Sequence, residues 1–241
     1  MKARRVKKVD PREPLADNAA RIVRVRLDEM RSFAPRAMEP GATRAQHDMR
    51  IAAKRLRYML EATEFCFGRP AQVARRRARD LQDALGELHD CDVMLPRVKR
   101  HLAGLRKADA DGVRMWAGEA SDLDPALAAH APHRTSYRGL DTLIVYLLAR
   151  RELLFDRFQS MWTEQERAGT WSALDRAMTR RLDIARERRR AAKRAERARE
   201  KLAAAEHEER EAASRAASAA AELHTARREA GGELLPRRNG G

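Results

Sequence analysis

Cysteine, aromatic residues and long apolar runs are all scarce in this chain of 241 residues. Its two cysteines, Cys66 and Cys91, cannot build a disulfide framework, so a reducing cytoplasm is the expected compartment. No stretch approaches the roughly 18 consecutive apolar residues of a membrane-crossing helix, so no membrane partner is expected. The basic start, Met1 to Lys8, runs into Asp10-Pro11-Arg12-Glu13-Pro14 and not into an apolar core, unlike a secretory signal. Aromatic residues are 5% of the chain and β-branched runs are few, which disfavours sheet.

Catalytic and metal motifs are missing as well. There is no phosphate-cradling G-x-x-x-x-G-K-[ST] loop and no nucleophile elbow. Asp90 and Asp92, two apart on a helix, fall on different faces and cannot pair for acid–base work. His89 and Cys91 point about 200° apart on a helix and cannot share a metal ion. His101, His130, His133, His207 and His224 show no ligand spacing and read as surface residues. No catalytic set, metal or cofactor is therefore expected.

Charge and alanine fill the space these absences leave. The net charge is +15 and the pI about 10.8, with 36% charged residues. Such a balance attracts polyanions, whether nucleic acid, an acidic membrane surface or a polyphosphate. The fold expected is all-α, an antiparallel helical bundle followed by a long charged C-terminal helix. Residues 1–13 read as a basic flexible tail, 14–171 as the helical domain, 172–230 as the long helix and 231–241 as a disordered tail.

Within the domain, apolar periodicity places a first helix at Leu15 to Phe33, with Leu15, Ala19, Ile22, Val23, Met30 and Phe33 on its core face. A second starts near Thr43, taken as its N-cap, and stops at Gly68 and Pro70. A third spans Ala71 to Leu105, and Pro96 should kink or divide it. Residues 107–135 read as loop with one short helix near Val113 to Ala120. A fourth helix runs from Tyr137 to Glu166, its apolar face interrupted by Arg150 and Arg151. Residues 185–230 are nearly all Ala, Arg, Glu and Lys, strong helix formers that lack the a/d heptad needed for a firm coiled coil.

The second helix has two unlike sides. Met49, Ala52, Ala53, Leu56, Met59, Leu60, Thr63 and Phe67 form a core stripe. His47, Arg50, Lys54 and Arg57, at i, i+3, i+7 and i+10, stack along the opposite side with Tyr58 beside them. Arg44 and Arg55 flank that half from its other border. Only Asp48 and Glu61 are local counter-charges, whereas a solvated face ordinarily mixes signs to avoid repulsion at i, i+4. On the third helix, Arg75, Arg79, Gln82 and His89 form a neighbouring strip, with Gly86 open to the close approach of a backbone or a ligand.

Two segments resemble a known family. His47 to Glu61 reads H-x-x-R-I-x-x-K-R-L-R-Y-x-L-E, similar to the signature helix of CHAD domains, the histidine-bearing α-helical domains. Leu81 to Val93 resembles the L-x-x-x-L-G-x-x-x-D-x-D-V element that follows it. The resemblance covers roughly Pro14 to Trp171 and implies a helical domain that binds inorganic polyphosphate in a basic channel. It implies His47, Arg50, Lys54 and Arg57 as the main phosphate contacts, helped by Arg55, Arg79 and His89. A full domain of this kind has two related halves, each with such a helix. Here one is present, so either the domain is a reduced one or two copies pair to close the channel, and the homodimer is preferred. The glutamate-rich E-x-E-x-K pattern of an attached triphosphate hydrolase is absent, so a non-catalytic binder is expected, cytoplasmic and associated with polyphosphate granules. The alternative is an unspecific nucleic-acid-binding protein that uses the basic C-terminal helix.

Overall fold

The computed structural model describes residues 2–232. Among them are six α-helices and no strand: α1 (Leu15–Arg31), α2 (Ala34–Ala37), α3 (Thr43–Thr63), α4 (Arg69–Trp116), α5 (Arg134–Arg167) and α6 (Thr170–Gly232). Two 3-10 segments, Glu64–Cys66 and Pro125–His130, join them. The chain divides into two units, residues 1–183 and residues 184–241.

The first unit is an all-α bundle around one core. Leu27 and Met30 of α1, Met49, Leu56 and Leu60 of α3, Leu81, Leu85 and Leu88 of α4 and Phe158 of α5 are fully or almost fully buried in it. Burying a side chain of this size contributes about 1.5–3 kcal/mol, so the α3 stripe alone accounts for several kcal/mol. The cross-helix contacts run in opposite senses along α3 and α4: His47 meets His89, Arg57 meets Gln82 and Glu64 meets Arg75. The two helices are therefore antiparallel. So are α4 and α5, joined by Glu87–Arg150, Arg106–Asp141 and Asp109–His133.

Local signals explain the α3–α4 corner. Gly68 takes φ +64°, a left-handed conformation that favours glycine, and Pro70 occupies the first turn of α4. Thr43 is not the N-cap; it is the first helical residue, Ala42 holds the cap position, and no side chain caps this end.

Pro96 does not divide its helix. It is exposed, so the lost N–H bond faces water, while α4 is held on both sides of it by ion pairs to α5. α4 also runs on to Trp116, through residues whose composition suggests loop. Asp109, 4% exposed, is buried there and is bound by His133 and Tyr137 at the start of α5. Tertiary packing overrides a weak local propensity.

Two further expectations need correction. Residues 2–13 are not a free tail. The Arg4 backbone N–H donates to Glu29 Oε1 at 3.0 Å, its guanidinium donates to Ser32 Oγ, Asn18 Nδ2 donates to the Asp10 carbonyl, and Glu13 pairs with Arg21. The bundle also continues past Trp171: Trp171, Leu174 and Met178 of α6 are fully buried, and Trp171 stacks on Trp162 with ring centroids 6.0 Å apart. Leu15, expected on the α1 core face, is 60% exposed; Leu27 takes the buried place.

In the second unit, every residue from Arg186 to Arg228 is exposed. Helical backbone continues through Gly231 and Gly232, which were expected in the tail. The rest of that tail, residues 233–241, lies outside the described residues.

Candidate functional site: a cationic groove between α3 and α4

The amphipathicity of α3 orients the site. Because its apolar stripe is buried against α1 and α4, the strip of His47, Arg50, Lys54 and Arg57 stands on its outer side, beside α4. The opposing wall is Arg79, Gln82, Gly86 and His89 of α4, spaced by three or four residues along one helix face. The rings of His47 and His89 approach to 4.5 Å between centroids, tilted by 48°. Arg57 Nε donates to Gln82 Oε1 at 3.1 Å and its Nη1 to Glu61 Oε1 at 2.8 Å. The Arg57 guanidinium lies 4.5 Å from the Tyr58 ring centroid and Lys54 Nζ lies 5.6 Å from it, so the exposed Tyr58 braces both cations.

Three polar atoms here are buried without a hydrogen-bond partner: His47 Nδ1, Arg50 Nε and Asp48 Oδ1. Unmet buried donors and acceptors are uncommon and costly. His47 is held below its ordinary value of 6.5, first by partial burial and then by the positive potential of His89 and Arg50, with Asp48 opposing. At neutral pH its ring is therefore mostly uncharged, but poised to gain a proton when a negative group enters.

The other expected residues divide. Arg79 is exposed, its nearest counter-charge Asp83 lying 3.8 Å away along the helix. It borders a shallow basic depression lined by Arg75, Arg76 and Arg77. Arg55 turns the other way: its Nη1 donates to Glu29 Oε1 at 3.1 Å, on α1. Glu29 is 1% exposed and also binds Arg26 and the Arg4 backbone, so Arg55 completes a buried carboxylate's shell. An added Cβ at Gly86 would meet nothing within 4 Å; no neighbouring backbone needs that glycine, and the groove floor is open there.

Sequence reasoning missed a network at the His47 end. Arg151 Nε donates to Asp92 Oδ1 at 2.6 Å and its Nη2 to Gln46 Oε1 at 3.1 Å, tying α5 to α3 and α4. Asp92, His47 and His89 line one pocket of about 290 Å³. The signal was the charged interruption in the apolar face of α5. His133, expected as a plain surface residue, instead binds Asp109 through Nδ1 at 2.6 Å, and the Tyr137 hydroxyl donates to the same carboxylate. Although burial raises the Asp109 pKa, these bonds outweigh it and hold the carboxyl below its usual range.

Fold and site together define a helical domain with a histidine-bearing cationic groove. Residues 2–99 match the family model described as CHAD domain. The match ends inside α4, short of the Trp171 limit expected from the sequence, so α5 and α6 lie beyond it. No curated relative and no solved structure matches the chain. CHAD domains are associated in general with the binding of polyphosphate. No described helix is long and apolar enough to cross a membrane.

Proposed function

We propose that the α3–α4 groove binds inorganic polyphosphate and does not catalyse its turnover. One observation carries the reading: the buried Nδ1 of His47 and Nε of Arg50 have no protein partner, yet both lie in a row of cations. A chain of phosphoryl groups offers such a row repeated acceptors. Arg supplies a planar fork and Lys a compact charge. Each charge-assisted bond contributes about 1.5–3 kcal/mol before screening, so several in line give tight, salt-sensitive binding. His47, Arg50, Lys54 and Arg57 are the main contacts, with Arg79 and His89 on the facing wall. Arg55 drops out, being engaged by Glu29.

The double variant Arg50→Glu plus Lys54→Glu tests this. Binding of long polyphosphate should fall below detection while circular dichroism is unchanged; retained affinity would reject the groove. A phosphate-release assay with polyphosphate and divalent metal should show no turnover.

A second reading, unspecific binding of nucleic acid, is favoured by the exposure of every cation between Arg186 and Lys201. Competition of polyphosphate against DNA and RNA at physiological salt decides between them.

A further inference from the structure

The second unit carries a pattern that its alanine content conceals. Alanine stands at every seventh residue from Ala191 to Ala226, with Ile184 one heptad earlier. Between these, at the complementary spacing of three and four, lie Arg188, Ala195, Leu202, Glu209, Ala216 and Leu223. A strict seven-residue repeat places both sets on one seam of a gently supercoiled helix. The seam lacks bulk but not period, and alanine lets two helices approach closely. Leu202 and Leu223 are each 62% exposed on it.

We infer that residues 184–223 pair antiparallel with the same segment of a second copy of this chain. Charge chooses the occupant. Arg and Lys dominate residues 186–201, whereas Glu outnumbers Arg over residues 206–222. Antiparallel pairing with Ile184 over Leu223 sets one block against the other. In that register Ala191 lies over Ala216, Ala205 over Leu202 and Ala198 over Glu209, an unbroken run of seam layers. On the flanks Arg199 faces Glu206 and Lys201 faces Glu208, and two-fold symmetry produces each pair twice. Towards the ends Arg194 meets Arg215 and Glu187 meets Glu222, so the attraction is concentrated at the centre.

A parallel pairing fares worse. Its flanks would set Arg194 beside Arg199 but Lys201 beside Glu206 and so balance, whereas its seam would stack Glu209 on Glu209 and Arg188 on Arg188, with like charges desolvated together. The antiparallel register puts Glu209 and Arg188 against alanine instead. This surface is separate from the α3–α4 groove, so its failure would leave the groove's function untouched.

The test uses the full chain. Sedimentation should show a dimer. Glu206→Arg plus Glu208→Lys, and separately Arg199→Glu plus Lys201→Glu, should each weaken dimerisation by about tenfold or more. Mixing the two variants should restore a dimer, because every central pair is again opposite in sign; unchanged circular dichroism separates this from misfolding. Oxidising a mixture of A191C and A216C chains should link 191 to 216. A monomeric wild type, variants that dimerise unaided, no recovery on mixing, or a 191–191 link would each overturn the proposal.

Discussion

At the scale of single residues, His47 makes the groove responsive to pH. In the free protein its pKa lies below 6.5 because burial, His89 and Arg50 all disfavour the charged ring. A bound polyanion reverses that balance, so binding takes up a proton. Affinity should rise as pH falls from about 8 to about 6, and calorimetry in buffers of different ionisation enthalpy should detect the uptake. His47→Gln should abolish most of it. Stability runs the other way in the absence of ligand. The unfolded chain accepts this proton more readily than the folded one, so the folded state loses stability as pH drops through about 6.5. Glu29 is the opposite kind of residue, buried and satisfied by Arg4, Arg26 and Arg55. Glu29→Ala should lower unfolding stability by about 3 kcal/mol, measured by urea denaturation, because it strands its donors; Glu29→Gln should cost much less. His47, Arg50, Lys54 and Arg57 were legible in the sequence because their spacing alone puts them on one helix face. Arg55 was not: its partner lies 26 residues away on another helix, and no local pattern records that.

Helices show the same division between local and distant causes. α3 is self-announcing, since its stripe and its Gly68–Pro70 stop are written in neighbouring residues. The last ten residues of α4 are not, because Asp109 holds them through His133 and Tyr137, across a long loop. Asp109→Ala should therefore release this end of the bundle. Limited proteolysis within residues 117–133 should accelerate, while binding at the distant groove persists; unaltered cleavage would mean that the carboxylate does not hold the loop. Core positions should respond on a larger scale: Leu85→Ala, at 1% exposure, should cost about 2–5 kcal/mol in thermal or urea unfolding. Leu202→Ala, on an exposed stretch, should leave the unfolding of the first unit unchanged.

For the molecule as a whole, the boundary near Trp171 suggested by composition cuts through the core. Composition shifts where the large apolar residues thin out, but Leu174 and Met178 are still buried beyond it. A protein ending after Gly169 should be unstable, whereas one ending after Asp183 should melt cooperatively and keep its affinity for polyphosphate; circular dichroism with temperature distinguishes the two. Loss of nucleic-acid binding in the longer truncation, with polyphosphate binding intact, would assign the two ligands to separate units.

The burial of Trp171, Leu174 and Met178 also bears on how the chain is made. Synthesis delivers the amino-terminal helices first, and domains tend to fold in that order. Here the apolar interior stays incomplete until residue 178 has left the ribosome, with α3 and α4, the two helices that carry the recognised segments, already waiting outside. Newborn chains thus pass through an interval in which Trp162 lacks its stacking partner and Asp17 its guanidinium, until the first turns of α6 supply Trp171 and Arg181.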